Sequence, residues 1–270
     1  MAELIRTAVT IAGSDSGGGA GIQADLKTFA ALGVYGTSAI TAVTAQNTLG
    51  VTAVTAVSAD LVTAQIETVA ADIPIHATKT GMLFNAAIVE AVAAAVEALE
   101  LPLLVVDPVM LAKSGDRLLD DDGIRAMCAE LLPRALVVTP NIPEAEILSG
   151  RTIDSLEDVR AAAEEIYQHC GTAVVIKGGH ARDTGDGLLV DLLFDGEQFT
   201  EYQTARISTR NTHGTGCTFA SAIAARLAQD DSLTEAVAYA QAYVAGAIEH
   251  GLPLGKGHGP LDHFWKSRTT

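Results

Sequence analysis

The sequence predicts an α/β protein in which helices cover both faces of a mostly parallel sheet. Short aliphatic or β-branched runs alternate with longer segments of helical periodicity along the whole chain. Most of these runs are almost continuously apolar, as is typical of parallel strands that are buried on both faces. The 270 residues, 49% of them hydrophobic, contain no evident linker or repeat, so a single domain over residues 1–270 is predicted.

The strands of the first half are short and rich in Val, Ile, Thr and Ala. They are predicted over residues 7–13, 37–46, 51–57 and 77–82. The helices between them carry apolar residues at helical spacing, and Asn85 is well placed to cap the last of them. They are predicted over residues 22–32, 59–71 and 85–99.

In the second half, three aliphatic runs are typical of buried strands, and two further runs flank Asp195-Gly196, a dipeptide typical of a β-hairpin. These strands are predicted over residues 103–106, 136–139, 173–176, 187–194 and 198–207. Periodicity and candidate caps such as Ser155 indicate the helices. They are predicted over residues 122–132, 155–170 and 233–250, with two more that begin near Asn141 and Cys217.

Polar and glycine residues follow the predicted strands at the points where the strands end. Because the carboxyl ends of parallel strands meet at one edge of a sheet, ligands bind at that edge. The residues at these ends are Gly13, Gln46, Met82, Asp107, Asn141 and Lys177. We therefore expect them to gather around one site.

A glycine- and threonine-rich loop at 211–218 leads into a helix whose Phe219, Ile223 and Leu227 form an apolar face. Free N–H groups and a positive dipole at the helix N-terminus favour an anion, which glycine allows to approach closely. The loop is therefore a candidate phosphate site, although an ordinary loop-to-helix junction has the same features. The dipole is also expected to lower the pKa of the Cys217 thiol.

A second glycine-rich loop, GSDSGGGAG at 13–21, follows a strand and precedes a helix. The spacing Gly19-x-Gly21-x-x-Ala24 matches the dinucleotide-binding fingerprint weakly, and no acidic residue follows about 20 positions later. The P-loop pattern G-x-x-x-x-G-K-[ST] is absent from the sequence. These features favour a loop that closes over a ligand, with a plain turn as the alternative.

Two polar residues near the first loop each have two interpretations. Asp25 is predicted in the first turn of its helix, where it could bind an amine or hydroxyl of a ligand or simply complement the helix dipole. Gln46 could pair with a heterocycle through its amide, or belong to a turn at a strand end.

The residues after the later strands are equally open to two interpretations. Glu144 could hold Mg²⁺ beside substrate phosphates, or could only cap a helix together with Asn141. Lys177, which precedes Gly178-Gly179-His180, could contact a nucleotide phosphate or lie in solvent before a turn.

Charge and cysteine content exclude several classes of protein. The net charge of −16 argues against nucleic acids and anionic membranes as partners. No apolar run reaches the roughly 20 residues that span a bilayer. The three cysteines, Cys128, Cys170 and Cys217, show no disulfide or zinc spacing, and no signal-peptide pattern is seen. A cytoplasmic location is therefore expected.

In their order, the motifs closely resemble those of the hydroxymethylpyrimidine/phosphomethylpyrimidine kinases of thiamine biosynthesis, in the ribokinase superfamily. The resemblance extends over about residues 5–263 and rests on GSDSGGGAGIQADLKTF, TAVTAQNT, TKTGML, DPVMLAKSGD, TPNIPEAEIL, VVIKGGH, NTHGTGCTFASAIAA and GHGP. Sugar kinases of the superfamily carry Asp in the G-A-G-D motif where this chain has Cys217.

The resemblance implies a ribokinase-like three-layer α/β/α sandwich with a sheet of about nine strands, and a homodimer. It also implies transfer of the ATP γ-phosphate to the hydroxymethyl group of 4-amino-5-hydroxymethyl-2-methylpyrimidine, and a second transfer that yields the diphosphate. The implied pyrimidine pocket consists of Gly13, Asp25, Gln46, Met82 and Val109.

The same resemblance implies roles around the phosphates. The backbone N–H groups of Gly214, Thr215, Gly216 and Cys217 would form an anion hole, with Cys217 as general base. Glu144 would hold Mg²⁺. The residues expected to face ATP or its phosphates are Asn141, Lys177, Asp107, Thr212 and His213.

The residues leave four alternatives to a pyrimidine kinase to be considered. A pyridoxal or pyridoxine kinase would use the same scaffold and the same loop. A non-catalytic ATP-binding protein would not need an intact anion hole. A cysteine hydrolase would need His213 as the base of Cys217. A dehydrogenase is disfavoured, because the glycine loop lacks its acidic partner.

Overall fold

The computed structural model describes residues 5–111, 117–178 and 188–268. Part of the DPVMLAKSGD motif, the pair Gly179-His180 and the predicted strand start at Gly187 lie outside these ranges. The strands within them are β1 (Thr7–Asp15), β2 (Tyr35–Asn47), β3 (Gly50–Ala56), β4 (Ala77–Thr80), β5 (Leu104–Val106), β6 (Val137–Val138), β7 (Ala173–Ile176), β8 (Leu188–Phe194) and β9 (Phe199–Ala205).

Most helices of the described part lie close to their predicted positions, and the short last helix was not predicted. The helices are α1 (Gly21–Ala31), α2 (Ala59–Ala70), α3 (Ala86–Ala98), α4 (Asp121–Ala126), α5 (Ile142–Ser149), α6 (Leu156–Cys170), α7 (Thr215–Ala228), α8 (Leu233–Glu249) and α9 (Trp265–Arg268). Asn85 and Ser155 cap α3 and α6 as expected, each accepting a hydrogen bond from a backbone N–H of the first turn.

The strands that the structure describes form one nine-stranded sheet in the order β3-β2-β1-β4-β5-β6-β7-β8-β9. The central strands β2, β1, β4, β5, β6 and β7 are parallel, and β3, β8 and β9 add antiparallel edges. The chain runs from β1 to β2 on one side and then crosses to β4 on the other. This reversal opens a crevice at the carboxyl ends of β1 and β4.

Helices cover both faces of the sheet and form two cores. The larger core contains residues of α2, α3, α4, α5 and α6, and the other contains residues of α1, α7 and α8. In β1, Val9 and Ile11 contribute to the first core and Ala8 to the second, because side chains alternate along a strand. The structure thus confirms the predicted α/β class with a mostly parallel sheet.

The segment predicted as a helix, 122–132, is helical throughout, but it changes helix type along its length. The α-helical part is only Asp121–Ala126, and a π-helical turn at Met127–Leu131 and a 3₁₀ turn at Leu132–Arg134 follow it. Pro133 lies in the 3₁₀ turn, and proline lacks the N–H that a continuing α-helix needs. No helix within the described ranges is long and apolar enough to cross a bilayer.

Candidate active site

A cavity of about 350 Å³ opens at the carboxyl ends of the central strands. The sequence-predicted residues that border it are Gly13, Gln46, Met82, Val109, Asp107, Asn141, Glu144, Lys177, His213, Gly214, Thr215, Gly216 and Cys217. The predicted residues Asp25 and Thr212 do not border it. Asp15, Lys79 and His258 also line it, although the sequence did not single them out.

The N-terminus of α7 points its first turn into this cavity. Gly214 is the N-cap and has a left-handed backbone with φ of 88°. A Cβ atom at Gly214 would lie 1.8 Å from the carbonyl oxygen of Gly19, so the two glycine loops pack backbone against backbone. The hydroxyl of Thr215 donates to the Thr212 carbonyl at 2.8 Å, so Thr212 supports the loop through its backbone. The N–H groups of the first turn have no partners within the helix and are available to an anion.

The predicted lowering of the Cys217 pKa was wrong. Burial raises the pKa of this thiol to about 12, and the nearby Lys79 ammonium only partly opposes the effect. The loss of water around the sulfur is the largest influence, and the Asp25 and Asp107 carboxylates add to the rise. At neutral pH Cys217 is therefore a protonated thiol in the resting site.

A second group of charges lies at the ends of β5, β6 and β7. The ammonium of Lys177 donates to Asp107 Oδ1 at 3.0 Å, and Asp107 is only 2% exposed. Burial opposes the charge of Lys177, but Asp107 and Glu144 more than compensate and raise its pKa. The charged ammonium is thus retained in the wall of the cavity.

Glu144 caps α5, which is one of the two interpretations that the sequence left open. Its carboxylate accepts a hydrogen bond from the Asn141 N–H and the Asn141 side chain accepts one from the Glu144 N–H, which is a complete capping box. Burial and the Asp107 charge raise the pKa of Glu144 to about 7, although Lys177 opposes the shift. A capping role therefore coexists with a carboxylate in the wall of the cavity.

Asp15 organises the glycine-rich loop and was missed by the sequence reasoning. Its carboxylate accepts hydrogen bonds from the N–H groups of Gly17, Gly19 and Ala20. It also lies 2.9 Å from Nε2 of His213. Burial alone would raise the pKa of Asp15, but these hydrogen bonds hold it below its usual value. A carboxylate inside a glycine-rich loop was the available signal, because loop N–H groups need an acceptor.

Asp25 lies beneath the cavity, contrary to the prediction that it lines the ligand pocket. It is the fifth residue of α1, not part of the first turn, and none of its surface is exposed. It forms a buried ion pair with Lys79 at 2.8 Å. The signal for Lys79 was a lysine inside a short strand flanked by buried positions, because unpaired buried lysines are rare.

The predicted pyrimidine side of the cavity is formed by small and apolar groups beside one amide. A Cβ atom at Gly13 would lie 2.4 Å from Cε of Met82, so glycine leaves the space that the methionine occupies. Gln46 Oε1 accepts from the Thr44 hydroxyl at 3.1 Å, and its amide nitrogen lies 3.5 Å from Nε2 of His213. An apolar surface with one adaptable amide suits a planar heterocycle.

Comparison with known proteins identifies the family of this chain. The sequence model of a family described as phosphomethylpyrimidine kinase matches residues 15–262. A hydroxymethylpyrimidine/phosphomethylpyrimidine kinase of Bacillus subtilis is 50% identical over 260 residues, covering 96% of this chain and 95% of that protein.

Solved structures confirm the ribokinase-like fold. The pyridoxal kinase from Staphylococcus aureus in complex with ADP has a TM-score of 0.90 and 41% identity, and the match covers 98% of this chain and 96% of that one. Phosphomethylpyrimidine kinase from Clostridium difficile has a TM-score of 0.79 and 43% identity, with 90% and 99% covered. On its motifs, its fold and this match over nearly its full length, the chain belongs to the phosphomethylpyrimidine kinase family.

Proposed function

We propose that this protein uses ATP to phosphorylate 4-amino-5-hydroxymethyl-2-methylpyrimidine to its monophosphate and then to its diphosphate, in thiamine biosynthesis. The observation that carries the proposal is the N-terminus of α7, which opens into one cavity together with the Lys177–Asp107 pair and Glu144. The Bacillus subtilis relative bears the name of both activities. A fixed set of N–H donors beside a buried cation suits the transfer of a phosphoryl group.

In the proposed mechanism the protein aligns the reactants and offsets negative charge. The anion hole binds the equatorial oxygens of the moving phosphoryl group, since its N–H groups are already oriented. Lys177 and Asn141 contact the ATP phosphates, while Gly13, Gln46 and other pocket residues hold the ring. The base is the thiolate form of Cys217, a minor species at neutral pH, which accepts the proton of the attacking hydroxyl late in the transfer and becomes the thiol. A loose transition state needs little early deprotonation.

The residues present fit a role for Mg²⁺. Glu144 and Asp107 supply two buried carboxylates in the wall of the cavity. No group of three or more His, Cys, Asp or Glu side chains within the described ranges forms a metal cage. Mg²⁺ characteristically uses one or two carboxylates with water and substrate phosphates, and when bound it would neutralise phosphate charge.

Replacing Glu144 by Gln is expected to raise the Mg²⁺ concentration for half-maximal activity by about tenfold. The metal loses one carboxylate, but the Asp107 carboxylate remains. Glutamine still supports the capping box, so the fold should be retained. The matched control is Glu235→Gln, which alters the same type of box at the start of α8, outside the cavity. Mg²⁺ titrations at saturating ATP measure the effect, and equal curves for both variants would remove Glu144 from the metal site.

The alternative function is a pyridoxal or pyridoxine kinase. It is favoured by one observation, the TM-score of 0.90 with the Staphylococcus aureus pyridoxal kinase, against 0.79 for the Clostridium difficile phosphomethylpyrimidine kinase. Both activities would use the same anion hole, so only the ring-binding part of the cavity distinguishes them.

Product analysis separates the two functions. The purified protein is incubated with Mg-ATP and either hydroxymethylpyrimidine or pyridoxal, and the products are identified by mass spectrometry. We expect mono- and diphosphate of the pyrimidine and little pyridoxal phosphate. Efficient formation of pyridoxal phosphate with poor turnover of the pyrimidine would assign the protein to vitamin B6 salvage.

We further propose that the protein is a single-domain homodimer of the cytoplasm. The exposed side chains of Val43 and Val54, on β2 and the edge strand β3, suit a subunit contact. The three cysteines are free thiols, as expected in a reducing compartment.

A further inference from the structure

The most deeply buried charges of the described residues lie beneath the cavity, at Asp25 and Lys79. The Asp25 carboxylate accepts hydrogen bonds from the Thr10 hydroxyl at 2.6 Å and the Ser221 hydroxyl at 2.7 Å. Both of its oxygens also accept from the Lys79 ammonium, at 2.9 and 2.8 Å. One carboxylate therefore joins α1, β1, β4 and α7.

Stability alone is a poor explanation for such a pair. Both side chains are 0% exposed, and removing two charges from water costs about as much as their attraction returns. Apolar residues of similar size often stabilise a core equally well. Because the Asp25–Lys79 ion pair adds little net stability, we look for a role of the pair in the function of the site.

The Asp25–Lys79 pair is connected to the anion hole through α7. Ser221 follows Cys217 by four residues on α7, so the two side chains lie on the same face of the helix, one turn apart. Lys79 borders the same cavity as Gly214 and Cys217. Burial opposes the charge of Lys79, but the nearby Asp25 carboxylate outweighs this and raises the Lys79 pKa, and Asp107 and a Cys217 thiolate act in the same direction.

We propose that Lys79 is a positioning residue for phosphoryl transfer, which it serves in two ways. Through Asp25 and Ser221 it holds the N-terminal turns of α7 in register with the sheet. Its charge also keeps the potential behind the anion hole positive when the phosphoryl group and the Cys217 thiolate carry negative charge. The first part rests on the geometry alone, and the second rests on the proposed kinase function.

The experiment must separate positioning from mere stability. Lys79→Met or Asp25→Asn alone leaves an unpaired buried charge and is expected to destabilise the fold. The double variant K79M/D25N removes both charges while nearly conserving volume, and the introduced amide can still bond with Thr10 and Ser221. We expect its thermal unfolding midpoint to stay near that of the unmodified protein, its kcat to fall about tenfold or more, and both KM values to change less than about threefold.

A second measurement, the alkylation rate of Cys217, tests the proposal without requiring kinase activity. Alkylation of Cys217 by iodoacetamide, followed by peptide mass spectrometry, reports how strongly the site favours the thiolate. We expect slower alkylation of Cys217 in the double variant, with Cys128 as the internal control. This result stands even if the pyrimidine is not the substrate, so failure of the proposed function and failure of the Lys79 proposal are distinguishable.

A milder variant covers the case in which the double variant does not fold. Ser221→Ala removes one hydrogen bond to Asp25 but no charge, and Ser149→Ala removes a buried helical hydroxyl outside the cavity. We expect a lower kcat for Ser221→Ala only. A double variant with unchanged kcat and unchanged Cys217 alkylation, or a Ser221→Ala variant as active as Ser149→Ala, would overturn the proposal and leave the pair a structural feature.

Discussion

Replacing Cys217 by Ser is expected to lower kcat by about 100-fold, with little change in the KM for ATP or the pyrimidine. Serine keeps the size and the backbone N–H donors of the anion hole but removes the acidic S–H group, since a hydroxyl has a far higher pKa than a thiol. Steady-state kinetics of the purified variant measure the effect. Full activity of the serine variant would end the proposed role of the Cys217 thiolate as proton acceptor.

The pH dependence of the same reaction tests this role independently. Because burial raises the pKa of Cys217 to about 12, the thiolate fraction increases with pH throughout the accessible range. If the thiolate takes the proton in the rate-limiting step, kcat should rise by up to about tenfold per pH unit above neutrality. In Cys217→Asp, which places a carboxylate where the sugar kinases have one, the rise should be much weaker. Parallel pH profiles for these two proteins would contradict the role.

Replacing Gly214 by Ala is expected to reduce kcat by about 100- to 1000-fold, comparable to the loss of an anion-hole donor. The new Cβ would lie 1.8 Å from the Gly19 carbonyl oxygen, so the loop or the helix start must move. The left-handed φ of 88° adds backbone strain. Kinetics and thermal unfolding, measured together, separate lost alignment from lost stability.

Gly150→Ala is the matched control for this experiment. Gly150 also has a left-handed backbone, with φ of 69°, but it ends α5, and a Cβ atom added there would meet nothing within 4 Å. We expect this variant to lose about 1 kcal/mol of unfolding free energy and no kcat. An equal loss of kcat in both variants would show that the contact between the two glycine loops has no special role.

Local sequence patterns predicted the strands and helices well because capping, periodicity and turn geometry depend on near neighbours. Ser155, for example, lies three residues before Asp158, and the two form the capping box of α6. The helix predicted over 122–132 is α-helical only in its first half, since its second half becomes a π-helical turn before Pro133. The apolar pattern of this segment does not distinguish the two helix types.

The sequence by itself determined the α/β class, the family and most residues of the candidate site. Many of the site residues follow predicted parallel strands, and parallel strands bring their carboxyl ends to one edge, so chain order alone predicts that Asp107, Asn141 and Lys177 meet. Glycine positions are likewise encoded locally, because only glycine readily adopts the left-handed backbone that Gly214 shows.

Only the tertiary structure decided which charges pair and how much water they lose. Asp25 and Lys79 are 54 residues apart, yet they form a buried ion pair beneath the cavity. Cys217 has a raised pKa where the helix start alone predicted a lowered one. Desolvation and Coulomb energy depend on distance through space and on the surrounding atoms, and the order of residues along the chain specifies neither of them directly.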